Sequence, residues 1–134
     1  MTHARPVTLR HARVLLVDDN EDAANTTADL LRLYGHDVTV AHTATGALSG
    51  HDPGAFDTYV LDIGLPDLSG YDLATRLRAA CAGDALFIAA TGYGQAEDRA
   101  RSHAAGFDHH LVKPLDPERL LELVGGAVPG GQID

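Results

Sequence analysis

The sequence has a single cysteine, Cys81, which excludes an intramolecular disulfide bond and any zinc site made of cysteines. This scarcity is typical of reducing compartments, and we therefore expect a cytoplasmic protein. No stretch of about 18 consecutive apolar residues is present, so we expect no membrane-spanning helix. The first residues also lack the apolar core of a signal peptide.

Basic residues are scarce as well. Ten lysines and arginines stand against nineteen aspartates and glutamates, which gives a formal net charge of -9. Since nucleic acids and anionic membranes are bound mainly by clustered lysine and arginine, we expect neither as a direct partner. The length of 134 residues and the hydrophobic content of 45% fit one domain with a buried core. We predict that this domain covers residues 12–125, with flexible segments at 1–11 and 126–134.

Five short apolar segments alternate with stretches of helical pattern. This alternation predicts an α/β fold in which helices cover both faces of a parallel sheet. The first, third and fourth segments are almost continuously apolar, as strands buried on both faces are, whereas the second alternates and fits an edge strand. The predicted strands cover residues 13–18, 37–41, 58–62, 85–90 and 108–112.

Capping signals mark three of the helices. The predicted caps are Asn20 and Gly35 at the two ends of the first helix, Ser69 or Gly70 at the start of the third, and Asp116 followed by Pro117 at the start of the last. We predict that Ala24, Thr27, Leu31 and Tyr34 share one face of the first helix.

Two helical segments carry weaker signals. Residues 44–51 contain Gly46, which lowers helix propensity. Residues 95–104 are polar nearly all round, and such a helix is held weakly because helical stability comes mainly from a buried apolar face. Two interpretations of 95–104 stay open: a solvated helix, or a segment that shifts or docks a partner.

Acidic residues stand at the ends of two predicted strands. Asp18 and Asp19 come at the end of the first apolar run, and Asp62 ends the third. Because the carboxyl ends of parallel strands meet at one sheet edge, where ligands bind in open α/β folds, we expect these carboxylates to lie together. Mg²⁺ would offset their repulsion, since it prefers oxygen ligands and keeps waters that an incoming phosphate can replace.

Two further strand ends add a hydroxyl and an ammonium group. Thr91 comes at the end of the fourth predicted strand, and Lys113 follows the fifth. Acids with a bound cation, a hydroxyl and an ammonium group can capture a phosphoryl group, with Asp62 as the nucleophile that forms an aspartyl phosphate. Lys113 and Thr91 would contact phosphate oxygens, so that catalysis is mostly positioning and electrostatics.

Four short motifs carry a family resemblance. They are VLLVDDN, VLDIGLPDLSGYDL, AATG and LVKP, in this order. Each motif alone is weak, but together the chain resembles the response-regulator receiver domains of two-component signalling over residues 12–125. The resemblance implies a flavodoxin-like, doubly wound five-stranded sheet with strand order 2-1-3-4-5. It also implies that Asp62 is the phosphoacceptor and a ligand of Mg²⁺.

The resemblance implies roles for the other strand-end residues. Asp19 would bind Mg²⁺ directly, Asp18 would hold it mainly through water, and the backbone carbonyl of Gly64 would supply a further ligand. No organic cofactor is implied. Lys113 would pair with the phosphate, and the Lys113–Pro114 peptide bond is expected to be cis.

The conformational switch shows one departure from the family pattern. Thr91 is expected to bond the phosphoryl group and to move towards it on activation. Three residues before Lys113, where the family usually has an aromatic side chain, the sequence has His110. Imidazole is smaller than a phenol and titrates near neutral pH, so we hypothesise that coupling from Thr91 to the outer face is altered or pH-sensitive. Tyr93 stands where the family tunes the access of water to the acyl phosphate.

The implied function is a phosphorylated signalling switch that catalyses only its own phosphorylation and dephosphorylation. A sensor histidine kinase or a histidine phosphotransfer protein would give its phosphoryl group to Asp62, and the acyl phosphate would shift a two-state equilibrium. The change is expected to reach a protein partner or an output domain through the face built from the fourth helix, fifth strand and fifth helix. We expect a monomer or a weak homodimer.

Two other functions compete with this one. A small Mg²⁺-dependent phosphatase with an aspartyl nucleophile would usually need an acid two residues after it, and Gly64 stands there. A pseudo-receiver that only binds a partner would not need the intact set of site residues. The histidines, with His109 and His110 adjacent on a strand, are predicted to be surface residues rather than metal ligands. A free-standing regulator and the C-terminal domain of a hybrid sensor kinase both stay open.

Overall fold

A five-stranded parallel sheet with helices on both faces forms the domain. The computed structural model describes residues 11–49, 52–81, 84–92 and 99–125. The predictions made for residues 1–10 and 126–134, and for Tyr93, lie outside these ranges. Within them, no helix has the length and apolar character needed to cross a membrane.

Strands and helices alternate along the chain. They are β1 (Arg13–Val17), α1 (Glu21–Leu33), β2 (Asp37–Ala41), α2 (Ala44–Leu48), β3 (Thr58–Asp62), α3 (Gly70–Ala80), β4 (Leu86–Thr91), α4 (Arg99–Ala105), β5 (His109–Val112) and α5 (Pro117–Gly125). All neighbouring strands are parallel, and the sheet order is β2-β1-β3-β4-β5. This order confirms the predicted flavodoxin-like fold.

Apolar side chains form one packed layer on each face of the sheet. Because successive side chains of a strand point to opposite faces, β1 sends Leu15 and Val17 into one layer and Val14 and Leu16 into the other. Residues of α2, α3 and α4 complete the first layer, and residues of α1 and α5 complete the second. The central strands therefore need apolar residues at almost every position, as the sequence pattern indicates.

The predicted caps of α1 and α3 are confirmed. The Asn20 side chain accepts a hydrogen bond from the Ala23 N–H at 3.0 Å, and the Ser69 hydroxyl accepts one from the Asp72 N–H at 3.1 Å. Gly35 follows α1 with a φ of +93°, a left-handed conformation that glycine adopts without strain. These contacts satisfy backbone groups that a helix end leaves without an internal partner.

Several boundaries and one side chain differ from the predictions. β1 ends at Val17, β4 continues through Thr91, and α2 is a helix of only five residues. β5 begins one residue later than predicted, at His109. The prediction that Tyr34 shares a face of α1 with Leu31 is wrong, since Tyr34 lies beyond the helix and is 47% exposed, whereas Leu31 is buried. The helix ends at Leu33, and Tyr34 leaves the helical path at a ψ of 14°, so the helical spacing no longer applies to it.

The polar helix α4 buries little apolar surface. Ser102 and Ala105 are its buried residues among those whose burial the structure describes, whereas α3 buries five residues. The guanidinium of Arg101 lies 4.6 Å from the centre of the Tyr71 ring of α3. The attachment of α4 to α3 therefore depends partly on an exposed arginine stacked on an aromatic ring.

One carboxylate ties the loop between β3 and α3 to the start of α2. Asp67 accepts hydrogen bonds from the Thr45 N–H at 2.9 Å, the Ala44 N–H at 3.0 Å and the Thr45 hydroxyl at 2.8 Å. These donors, the Thr45 N–H foremost, lower the pKa of Asp67 to about 2. The folded protein therefore favours the charged form of this carboxylate.

We predict that Asp67 stabilises the fold at neutral pH and loses this contribution in acid. Its pKa is about 2 in the folded protein against 3.8 for an unperturbed carboxyl, so the contribution is complete above the higher value and disappears as the pH falls towards 2. Thermal melts of the wild type and of Asp67→Asn should differ most at pH 6 and converge as the pH is lowered from 4.5 to 2.5.

The matched control for this prediction is Asp29→Asn. Asp29 is also an exposed acid, on α1, and its contact is an ion pair with Arg32 at 3.6 Å. As the pH falls, the melting temperature of Asp67→Asn should approach that of the wild type by more than the melting temperature of Asp29→Asn does. A difference between the wild type and Asp67→Asn that stays constant over this pH range would contradict the assignment.

Candidate functional site

Three aspartates come together at the carboxyl edge of the sheet. Asp62 is the last residue of β3, and Asp18 and Asp19 directly follow β1, the strand beside it. Asp18 and Asp62 are buried and Asp19 is exposed, and one carboxylate oxygen of each lies within 4.8 Å of the other two. Across the described residues, this is the one group of three or more acidic, histidine or cysteine side chains close enough to share a metal ion.

The ammonium group of Lys113 bridges the two buried carboxylates. Its Nζ donates to Asp62 Oδ2 at 3.1 Å and to Asp18 Oδ1 at 3.3 Å. The Lys113 N–H donates to the Thr91 carbonyl at 2.7 Å, and the peptide bond between Lys113 and Pro114 is cis. The segment after β5 thus carries a positive charge to the acids at the ends of β1 and β3.

Both buried carboxylates are oriented by backbone groups two residues further along the chain. Asp18 Oδ1 accepts a hydrogen bond from the Asn20 N–H at 3.0 Å, and Asp62 Oδ1 accepts one from the Gly64 N–H at 2.9 Å. Such contacts are typical of aspartate at turns. With Oδ1 engaged by Gly64, Asp62 directs its other oxygen to Lys113.

The electrostatics of the cluster favour a cation. Desolvation comes first among the causes that raise the pKa of Asp19, followed by its hydrogen bond with Asp62 and the negative charges of Asp62 and Asp18. Burial alone would lower the pKa of Lys113, but its hydrogen bonds and ion pairs with Asp62 and Asp18 together outweigh burial and raise it. The site thus holds one positive group among three acids.

The donor set fits Mg²⁺. Carboxylate oxygens are the protein ligands that this ion prefers, and one exposed and two buried aspartates leave room for the waters that it retains. The backbone of Gly64 is exposed beside the cluster. Ligation by its carbonyl stays a prediction.

A close backbone approach brings α3 to the acid-bearing strand. A Cβ placed on Gly70 would lie 2.5 Å from the Asp62 carbonyl oxygen and 2.6 Å from the Ile63 Cα. Glycine is therefore needed here for space rather than for an unusual φ. The sequence predicts Gly70 as a possible start of the third helix and as the end of a stretch, residues 65–70, that shapes the loop beside Asp62, but it does not predict this close backbone contact.

Thr91 and His110 lie on the neighbouring strands β4 and β5. Thr91 is buried, and its hydroxyl donates a long hydrogen bond of 3.5 Å to the Leu111 carbonyl. His110 is half-buried, with its Nδ1 3.4 Å from the Ser102 hydroxyl of α4. Its ring centre is 6.1 Å from that of Phe107. Contacts therefore run from Thr91 to β5 and from β5 to α4.

Two histidines make backbone contacts that the sequence pattern does not predict. His36 is buried, and its Nδ1 accepts a hydrogen bond from the Ala12 N–H at 3.1 Å, so its prediction as a surface residue is wrong. His42 is half-buried, with its Nδ1 3.0 Å from the Asp18 carbonyl oxygen. Both side chains bind backbone groups near the ends of β1, far from them in sequence, and strand periodicity gives no sign of such pairs.

An open cleft of about 640 Å³ reaches the acid cluster from the side of α1. Its lining comes from the start of α1 and from the segment after β5. The lining residues are Asp18, Asn20, Asp22, Ala23, Thr26, Thr27, Lys113, Pro114 and Leu115. The cleft therefore gives a large molecule a route to the ammonium group of Lys113.

Comparisons with known proteins agree with this geometry. The family model described as "Response regulator receiver domain" matches residues 14–125. An uncharacterised 14.6 kDa protein of Leptolyngbya boryana is 38% identical over 122 residues, which are 87% of this chain and 90% of that protein. The virulence sensor protein BvgS of Bordetella pertussis is 33% identical over 87% of this chain, which spans only 10% of the length of BvgS.

A solved structure shows the same fold. A response regulator protein from Burkholderia pseudomallei, crystallised with a phosphorylated aspartic acid, a calcium ion and citrate, superposes with a TM-score of 0.73. It is 31% identical, and the match covers 84% of this chain and 65% of that one. The chain therefore belongs to the family of response regulator receiver domains, which are signalling modules of two-component systems.

Proposed function

We propose that Asp62 accepts a phosphoryl group from a sensor histidine kinase or a histidine phosphotransfer protein, with Mg²⁺ bound in the acid cluster. The observation that carries this proposal is the contact of Lys113 Nζ with Asp62 at 3.1 Å and with Asp18 at 3.3 Å. It places a positive charge beside a buried carboxylate at the carboxyl edge of the sheet. The phosphorylated aspartic acid in the Burkholderia structure supports the same chemistry.

In the proposed reaction, a carboxylate oxygen of Asp62 attacks the phosphorus of a phosphohistidine. A P–O bond forms, the P–N bond breaks, and the imidazole leaves with the bonding electron pair. Lys113 lies where it can neutralise a phosphoryl oxygen, and the Thr91 hydroxyl would donate to another once it leaves the Leu111 carbonyl. Mg²⁺, when held by Asp19, Asp62 and the Gly64 carbonyl, and by Asp18 through water, would supply further positive charge.

The cleft beside α1 is where we place the phosphohistidine of the partner. It is lined by Asn20, Thr26 and Thr27 of the α1 side and by Lys113 and Leu115 after β5. A histidine on the surface of another protein can enter an open cleft of this size. Receiver domains of response regulators interact with histidine kinases and output domains, which supports a histidine-bearing protein as the partner.

The output surface is proposed on the face of α4, β5 and α5. The contacts of Thr91 with β5 and of His110 with Ser102 give a route from the phosphoacceptor edge to α4. α4 has few buried side chains, and Val112 of β5 is 56% exposed. A weakly held helix beside an exposed apolar strand residue suits a segment that shifts and docks a partner.

An enzyme that turns over small substrates is less well supported. Hydrolysis through an aspartyl intermediate usually needs a second acid two residues after the nucleophile, and Gly64 has no side chain to serve. We therefore infer a module that catalyses only its own phosphorylation and dephosphorylation. A cytoplasmic monomer or weak homodimer belongs to the same proposal.

Phosphorylation of Asp62 is the direct test. We predict that the wild type gains one phosphoryl group on incubation with acetyl phosphate and Mg²⁺, as measured by intact-mass spectrometry. Asp62→Asn, which removes the nucleophilic charge at nearly constant size, and the wild type with a chelator should gain none. Asp29→Asn, an exposed acid on α1, is the control that should behave as the wild type does.

A phosphoryl group that persists on Asp62→Asn would assign the acceptor elsewhere. If the wild type gains none, beryllofluoride with Mg²⁺ separates fast hydrolysis from an inactive site. A spectral change with beryllofluoride would support the proposal. No adduct and no spectral change would contradict it in favour of the pseudo-receiver.

The charge of Lys113 gives a second prediction. Lys113→Gln should bind Mg²⁺ at least about fivefold more tightly, because loss of an ammonium group close to the cation site removes a repulsion of about 1 kcal/mol or more. The same variant should be phosphorylated poorly. Calorimetric titration with Mg²⁺ measures the affinity, with Arg119→Gln of α5 as the control that removes an exposed charge. Unchanged or weaker Mg²⁺ binding in Lys113→Gln would contradict the proposed cation position.

His110 gives a third prediction. His110→Tyr should still be phosphorylated, but its conformational response over residues 92–112 should differ from that of the wild type, since a tyrosine cannot keep the contact of Nδ1 with Ser102. Amide chemical-shift changes on addition of beryllofluoride and Mg²⁺ measure this response. His109→Tyr, one residue earlier on β5, is the matched control. If His110→Tyr and the wild type gave identical changes in this region, His110 would have no part in the coupling.

A further inference from the structure

Two sets of hydrogen bonds outside the acid cluster converge on the junction between β2 and α2, residues 41–45. We propose that this junction is a brace that sets the distance between the two acid-bearing loops, with His42 and Asp67 as its positioning residues. One loop carries Asp18 and Asp19, and the other follows Asp62 and contains Gly64. The inference rests on the proposed binding of Mg²⁺ between these loops.

The first half of the brace holds the backbone of Asp18 from both sides. The Asp18 N–H donates to the Ala41 carbonyl at 3.1 Å, and the Asp18 carbonyl lies 3.0 Å from the Nδ1 of His42. Because a carbonyl oxygen only accepts, the proton must be on Nδ1 of the imidazole. The peptide plane between Asp18 and Asp19 is thereby fixed, and with it the point from which the Asp19 side chain leaves the backbone.

The second half holds the loop after Asp62. The first N–H groups of α2 have no partner within the helix. The Thr43 hydroxyl accepts a hydrogen bond from the Gly46 N–H at 2.9 Å. The Asp67 carboxylate accepts hydrogen bonds from the N–H groups of Ala44 and Thr45 and from the Thr45 hydroxyl. Asp67 lies five residues after the phosphoacceptor, so its three bonds fix the far end of the loop that contains Gly64.

The electrostatics of the cluster explain why a brace is needed. Three carboxylates at one edge push their loops apart, and the Lys113 ammonium group donates to two of them, Asp18 and Asp62. Mg²⁺ requires nearly ideal octahedral geometry, so its affinity is sensitive to small shifts of its ligands. The junction opposes these shifts from outside the acid cluster, because the His42 side chain holds one loop and the Asp67 carboxylate ties the other loop to the start of α2.

Replacement of His42 tests the first half. His42→Leu should weaken Mg²⁺ binding about fivefold or more, since it keeps bulk but has no donor, while His42→Asn should stay within about twofold because its amide N–H can replace Nδ1–H. Calorimetric titration at pH 8 and 15 °C gives the affinities, and amide spectra recorded beforehand show that each variant is folded. A role in stability alone would lower the melting temperature and leave the Mg²⁺ affinity unchanged.

A double-mutant cycle tests the connection between the two halves. If the junction links the loops, Thr45→Val should weaken Mg²⁺ binding measurably on its own, but should add little to the loss already caused by His42→Leu. Thr45→Val removes the hydroxyl bond to Asp67 and changes no charge. Asp67→Asn, compared with Asp29→Asn, shows the effect of the carboxylate beyond the loss of one negative charge.

The outcomes separate this inference from the proposed function. Wild-type protein that binds no Mg²⁺ would overturn both. Wild-type binding with unchanged affinity in His42→Leu, or with fully additive losses in the double variant, would overturn the brace and leave the phosphoacceptor site standing. The brace would be established if His42→Leu binds Mg²⁺ more weakly, if His42→Asn restores the affinity, and if the losses of affinity in the double variant do not add.

Discussion

The crowding of three carboxylates at one edge of the sheet is the constraint on which the rest of the site depends. Asp18 and Asp62 are buried, and Lys113 Nζ bridges them at 3.3 and 3.1 Å. One ammonium group cannot neutralise three acids. The pKa of Asp19 is raised first by desolvation and then by the neighbouring Asp62 and Asp18, which shows this excess of negative charge. The arrangement therefore favours binding of a further cation. It also favours an anionic ligand that this cation and the Lys113 ammonium group can both contact.

The parallel sheet order produces this crowding. β1 and β3 are neighbours in register, so the residues at their carboxyl ends must meet, and β4 and β5 bring Thr91 and Lys113 to the same edge. The apolar layers on both faces fix the strands that carry these residues. α4, in contrast, buries few side chains, so a weakly packed helix lies beside the proposed switch residues. The proposed switch requires this combination of stable strands and a weakly held helix.

Much of this could be predicted from the sequence, because strand ends and motifs are local signals. Apolar runs predict the strands, and the acids, hydroxyl and lysine at their ends predict the candidate site. The contacts of His42 with Asp18 and of Asp67 with α2 link residues more than twenty positions apart, and no periodicity reports such pairs. His36 was missed for the same reason. Tyr34 was placed by helical spacing beyond the point where the helix ends, which single-sequence patterns locate poorly.

The most direct test of the central claim is a crystal structure of the chain with Mg²⁺ and beryllofluoride. We expect a beryllium atom on a carboxylate oxygen of Asp62 and Mg²⁺ about 2.0–2.1 Å from oxygens of Asp19 and Asp62, with Lys113 Nζ in contact with a fluoride. Movement of the Thr91 hydroxyl towards a fluoride is expected with it. Beryllofluoride bound elsewhere, or an Asp62 that stays paired with Lys113 in the presence of both ligands, would contradict the account.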